Sequence, residues 1–188
     1  VGYKKSDASE DVHAHWKVIE TGSYQTEISP QGHDNIPGVN ARTAGTTQIA
    51  ANLVVMGPGV KAKGHIHHHH ETIIFLLDGF AVTFMGPNQE PVIQRPGDFL
   101  FIPQGVEHLP ANLSSTKPAI GLVCRSDPKF YESLELLPHI DEIVATLLPP
   151  LQAKHEAGEL PADWKKHYKG SFNLANVKQV FAPTTESS

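Results

Sequence analysis

The chain has 188 residues, a formal net charge of −5, and 39% hydrophobic against 19% charged residues. That length suits one domain with an appendage and allows a substantial core. The acidic balance argues against a nucleic-acid binder, which needs a basic face.

Residues 1–46 are polar and turn-rich, and read as an N-terminal arm with one short strand near Trp16–Ile19. From Thr47 the texture changes. TQIAANLVVM reads as a strand closed by the turn GPG at 57–59. ETIIFLLDG is a short apolar run ending in an Asp-Gly turn, and FAVTFMG follows as its expected hairpin partner. Further strands are expected at Val92–Gln94, at Phe99–Ile102 and in AIGLVCR. Short strands with regular Gly/Pro punctuation predict an all-β antiparallel sandwich or barrel over residues 47–126.

Residues 127–188 form a helical C-terminal extension in this reading. Ile140, Ile143, Val144, Leu147 and Leu148 repeat as one helix face, and Pro149–Pro150 should stop that helix. LPADWKKHYKG offers a second short helix with Trp164 and Tyr168 on one side, which covers the barrel mouth or packs on its outside. Cys124 is the lone cysteine, so no intrachain disulfide is possible, which fits a reducing compartment. No apolar run is long enough for a membrane helix and no signal-peptide pattern opens the chain, although it starts without Met, as a processed or cloned end would. The localisation expected is cytoplasmic.

The twelve histidines need an explanation, and GHIHHHHETIIFLLDG at residues 64–79 concentrates them. The run leads straight into a strand, so it is not an appended tag. His65 and His67 are i, i+2 on a strand and face the same way. His108 lies a turn, a hairpin and a strand later and can approach the same interior face. Neutral imidazoles with a carboxylate make a nitrogen/oxygen site for one divalent first-row metal: Fe, Mn, Ni, Co, Cu or Zn. Three or four protein ligands leave positions open for substrate.

Gly59, His65, His67, Glu71 and Gly79, followed by Gly97, Pro103, Gly105, His108 and Asn112, resemble the two signature motifs of the cupin superfamily. The resemblance implies a double-stranded β-helix, a jelly-roll barrel holding a metal. It also implies a carboxylate ligand, for which two counts disagree. Forward from His67, that position is Glu71. Back from Gly79, it is Thr72, with His70 and Thr72 facing inward and His70 as the alternative third ligand. One residue flips a strand side chain to the other face, whereas a bulge after His67 would restore Glu71. Glu71 is the reading adopted, both as ligand and as general base.

His68 and His69 are expected at the rim. His13, His15, His33, His139, His155 and His167 are expected on the surface. Phe75, Phe101 and Asn112 are candidate substrate contacts, while Arg125 and Gln104 carry no firm assignment. The resemblance implies a monocupin oxidoreductase: a dioxygenase, similar to quercetinases, acting on a small enolic or phenolic substrate chelated to the metal, with dioxygen beside it. A non-oxidative cupin isomerase, lyase or cyclase and a non-catalytic small-molecule binder are the alternatives. A homodimer is implied, with no nucleic-acid or membrane partner.

Overall fold

The computed structural model describes residues 17–160. In chain order its strands are β1 (Glu27–Ile28), β2 (Asp34–Val39), β3 (Ala50–Met56), β4 (His65–His67), β5 (Thr72–Asp78), β6 (Ala81–Met85), β7 (Glu90–Gln94), β8 (Phe99–Ile102), β9 (His108–Asn112), β10 (Ala119–Arg125) and β11 (Leu134–Leu136). They form two antiparallel sheets, ordered β1-β2-β3-β10-β5-β8 and β11-β4-β9-β6-β7. Apart from the consecutive pairs β1-β2, β2-β3 and β6-β7, neighbours within each sheet come from distant parts of the chain, the arrangement of a double-stranded β-helix.

The expected hairpin of FLLDG and FAVTFMG is not formed. β5 pairs with β10 and β8, whereas β6 pairs with β7 and β9, so the Asp78–Gly79 turn carries the chain from one sheet to the other. Gly79 has φ +81°, and a Cβ there would come within 2.4 Å of the Pro118 carbonyl oxygen. Only glycine allows so close a crossing.

Alternation on β5 sets which side chains face the space between the sheets. Thr72, Ile74 and Leu76 line it. Ile73 and Phe75 take the opposite face, opposite Phe101 and Phe99 of β8. Phe99 and Phe101 are 73% and 53% exposed, and the Phe75 and Phe99 rings meet at 4.4 Å. Phe75 and Phe101 therefore lie on the outside of the six-stranded sheet and do not face the cavity.

The segment expected as an arm supplies structure of its own. Residues 17–20 form no strand; a 3-10 turn at Thr21–Ser23 follows, then β1 and β2. β2 adds to the sheet beside β3. A short helix, α1 (Ala41–Ala44), follows with Asn40 as its cap, the Asn40 side chain accepting from Arg42 N and Thr43 N. Ser29, Gln31, His33 and Asn35 are all buried, and the residues between them are more open. The inward set is polar, so hydrophobic periodicity misses it. His33, expected on the surface, lines the interior. Burial, with a further push from the Arg125 cation, lowers its pKa to about 4, partly offset by its hydrogen bond to the Asp34 carbonyl.

α2 (Pro138–Glu156) runs straight through Pro149 and Pro150, where a stop was expected. The two rings remove the hydrogen bonds to the carbonyls of Ala145 and Thr146. All four residues are exposed, so water satisfies what is lost. Beyond them the helix is tied down: Leu151 packs on the core, Gln152 Nε2 donates to the Asn112 carbonyl at 3.1 Å, and Glu156 accepts from Ser115 N and Oγ. Ile140, Val144 and Leu148 pack with Val82, Phe84, Leu109, Ala111 and Leu113 on the outer face of the five-stranded sheet. Each such apolar side chain contributes about 1.5–3 kcal/mol. This helix thus backs the sheet and does not cover a mouth. The second helix expected from LPADWKKHYKG, with Trp164 and Tyr168, lies outside the described residues.

Gly64 joins this helix to the strand that follows it. Its N–H donates to Asp141 Oδ2, its carbonyl accepts from Leu137 N, and a Cβ would come within 2.5 Å of Ile140 Cβ. Gly64→Ala is expected to lower unfolding free energy by about 1–3 kcal/mol through overpacking; a urea midpoint equal to that of the parent would contradict this packing. His33 gives a second expectation. Its folded pKa lies below the unfolded 6.5, so its contribution is present above pH 6.5 and is lost as pH falls toward about 4. At full extent the loss is about 3 kcal/mol. Denaturant midpoints of metal-free protein at pH 7 and pH 4.5 should therefore differ less in His33→Gln than in the parent.

Candidate metal centre

β4 is short, and both of its end residues, His65 and His67, are buried with Ile66 between them. β9 begins at His108, directly across from His65 in the β4–β9 pair. One ligand atom from each of the three rings lies within 4.8 Å of the others. Ring centroids are 4.1 Å apart for His65–His108, 5.1 Å for His65–His67 and 5.5 Å for His67–His108.

Hydrogen bonds set the tautomers. His65 Nδ1 lies 2.8 Å from the Lys63 carbonyl and His108 Nδ1 2.8 Å from the Val106 carbonyl. A carbonyl only accepts, so both Nδ1 atoms carry the proton and both Nε2 atoms carry the lone pair, which at His65 accepts from Gln31 Nε2. His67 is buried, and neither of its ring nitrogens has a partner among the described residues. Three sets of causes keep the rings uncharged. Burial and then His108 lower His65 well below its ordinary value; burial and then Arg125 lower His67 to about 2; burial lowers His108 to about 4, against the bond to Val106. Neutral imidazole is the form that binds a metal. The three residues fit a divalent ion, which would also satisfy His67.

Glu71 and His70 lie away from this group. Glu71 is exposed in the bend before β5, and its backbone N–H donates to Ser126 Oγ. His70 Nδ1 meets Ser133 Oγ at 2.5 Å, on an outer groove that also holds His68 and His69. β5 shifts register against β10 between Asp78 and Leu76 and then alternates regularly through Ile74, so Thr72 takes the inward place. Thr72 Oγ1 accepts from Arg125 Nε at 3.2 Å. The site among the described residues is thus three histidines with no carboxylate. Asn112 is fully buried, but its amide donates to the carbonyls of Met56, Gly57 and Lys117 and its oxygen accepts from Ser114 N. It holds loops together, with nothing left over for a substrate.

Beside the histidines is an internal cavity of ≈ 50 Å³. Val54, Met56, Ile74, Leu76 and Val123 give it apolar walls; Gln31, His33, Thr72, Gln94 and Arg125 give it polar points. No Asp or Glu among the described residues lines it. Gln31 comes from the turn before β2 and places its Nε2 3.0 Å from His65 Nε2, leaving its buried Oε1 unpartnered. Gln31, His33 and Gln94 were not anticipated. The i, i+2 row Ser29, Gln31, His33, Asn35 was the available signal for the first two. Arg125 follows from Ala119, Gly121 and Val123 by strict alternation on β10, which the burial pattern obeys.

A family model for the cupin domain matches residues 52–124. Among solved structures, the polyketide cyclase RemF from Streptomyces resistomycificus is similar at TM-score 0.58 and 16% identity, over 74% of this chain and 98% of that one. Peruvianin-I, a cysteine peptidase from Thevetia peruviana latex, is similar at 0.53 and 15%, over 72% and 83%. A double-stranded β-helix protein from Klebsiella pneumoniae follows at 0.51 and 15%, over 65% and 97%. No curated protein matches the sequence. Identities this low speak for the fold alone, and one fold hosts many chemistries. With the two motifs, the paired sheets and the inward histidines in agreement, residues 52–124 are a cupin domain and the fold is the double-stranded β-helix.

Proposed function

We propose that the protein is a metal-dependent enzyme in which His65, His67 and His108 hold one divalent transition metal and a compact, oxygen-bearing substrate of the enolic or phenolic class binds beside it. The observation that carries this reading is His67: a buried imidazole with both nitrogens unpartnered, in a ring of neutral histidines. A buried polar group is costly when unsatisfied and so implies a missing partner. When bound, the metal supplies Lewis acidity toward a chelating oxygen and, for a redox-active ion, a route for electrons to dioxygen.

The chain's own residues orient and exclude. The Lys63 and Val106 carbonyls hold the His65 and His108 rings by their Nδ1–H groups. Turning the Gln31 amide frees the His65 lone pair and brings Oε1 toward the centre. The apolar walls keep bulk water out, and the cavity volume favours a compact substrate over a polycyclic one. Dioxygenase chemistry is the form we favour. Enolisation by an isomerase, lyase or cyclase needs a general base matched to neutral pH. Among the described residues the lining carries no Asp or Glu, and His33, with its pKa near 4, is a weak base. The structural likeness to a polyketide cyclase is what supports the non-oxidative alternative.

Elemental analysis of protein purified without a nickel column should find about one equivalent of transition metal per chain. Less than about a tenth of an equivalent, with none taken up on reconstitution, would reject the holoenzyme. His108→Ala should weaken metal binding at least about tenfold, while His68→Ala, at the outer groove, leaves it unchanged. Equal losses would mean that the cage is misassigned. Turnover of small enolic acids should stop under anaerobic conditions; turnover that persists without oxygen would move the assignment to the non-oxidative class.

A further inference from the structure

We infer that the cavity selects its substrate through a carboxylate seated on Arg125, so that the molecule brought to the centre is a small organic acid. This deepens the metalloenzyme reading and rests on it for the acid's fate, but the anion seat has its own geometry. Arg125 is 6% exposed at the end of β10 and lines the cavity. Its partners are neutral acceptors: Nε donates to Thr72 Oγ1 at 3.2 Å and Nη1 donates to the Phe130 carbonyl. Its guanidinium lies 4.3 Å from the centre of the Phe130 ring. It forms no ion pair among the described residues. Asp127, two positions on, is buried too and its charge acts on Arg125 through space, but the two form no ion pair: the Asp127 oxygens accept from Lys129 N at 2.9 Å and Glu132 N at 2.7 Å.

A buried cation with no anion in contact is expensive, and a charged partner in contact relieves that cost. Nη2 has no hydrogen bond among the described residues. A second donor is free in the same lining: Gln94 Nε2 is buried and unpartnered, while Gln94 Oε1 accepts from Thr83 Oγ1 at 3.3 Å. Unused donors, a fixed positive charge and no acidic side chain specify an oxyanion. Guanidinium recognises a planar carboxylate in paired fashion. The apolar walls and the small volume suit a monocarboxylate with a short carbon body.

The test is calorimetric titration of the full chain, metal-free and cobalt(II)-loaded, with acetate, butanoate and pyruvate, each beside its uncharged primary amide, and with inorganic phosphate. At least one acid should bind the metal-free parent about tenfold or more tighter than its amide. Arg125→Met should bring acid and amide to parity, and Arg125→Lys should fall between. Gln94→Leu, which leaves the cation in place, should weaken the acid alone. Acids that bind no better than amides to the parent overturn the inference, whether or not Arg125→Met folds. So does acid binding that survives in folded Arg125→Met, or phosphate preferred over every acid. Metal content is measured in parallel. An acid preference without metal uptake would sink the metalloenzyme and leave the anion seat; metal uptake without an acid preference would do the reverse.

Discussion

The site depends on keeping three imidazoles uncharged and close together in a dry space. Left in water, each would take up a proton near pH 6.5, and three imidazolium ions within 4.8 Å would repel one another. Burial between two sheets removes that option. The fold achieves it from both sides. The six-stranded sheet supplies the apolar walls at Val54, Ile74, Leu76 and Val123, and the five-stranded sheet supplies the histidines. The sheet carrying the histidines is itself backed by α2, so β4 and β9 are held from outside as well as inside.

Some of this was legible in the sequence. His65, His67 and His108 could be assigned to one face because strand side chains alternate with period two and the motif glycines fix where strands begin and end. The place of Glu71 could not be settled by counting alone. Residues 68–71 are bends and irregular backbone between β4 and β5, and a count that crosses them loses its phase. The count back from Gly79 stays on one strand, whose register shift lies at its far end between Asp78 and Leu76, and the alternation Leu76, Ile74, Thr72 lands on Thr72. The same phase sends Phe75 and Phe101 outward. Their aromatic character suggested a cavity wall, but the alternation decides.

The N-terminal segment and the far end of α2 were illegible for opposite reasons. The buried row of that segment is polar, Ser29, Gln31 and His33 before β2 and Asn35 on it, so a search for apolar alternation finds nothing there. Pro149 and Pro150 gave a strong local stop signal, which tertiary contacts from Leu151, Gln152 and Glu156 override at an exposed point where the lost hydrogen bonds go to water. In both places local sequence preference was a poor guide because the deciding contacts are long-range.

Arg125 ties these features together. Its charge acts on His33, His65, His67 and His108 alike, and in each case pushes the ring toward its neutral form. Asp34 acts the other way on His33, and no acidic residue among the described residues lines the cavity. A carboxylate ligand in the position of Thr72 would have neutralised the cation and drawn protons back to the histidines. With Thr72 there instead, Arg125 gains a hydrogen bond but keeps its full charge. The threonine at residue 72 and the cation at residue 125 are thus two parts of one arrangement: three neutral imidazoles positioned to bind a metal, beside a buried positive charge with no ion pair among the described residues.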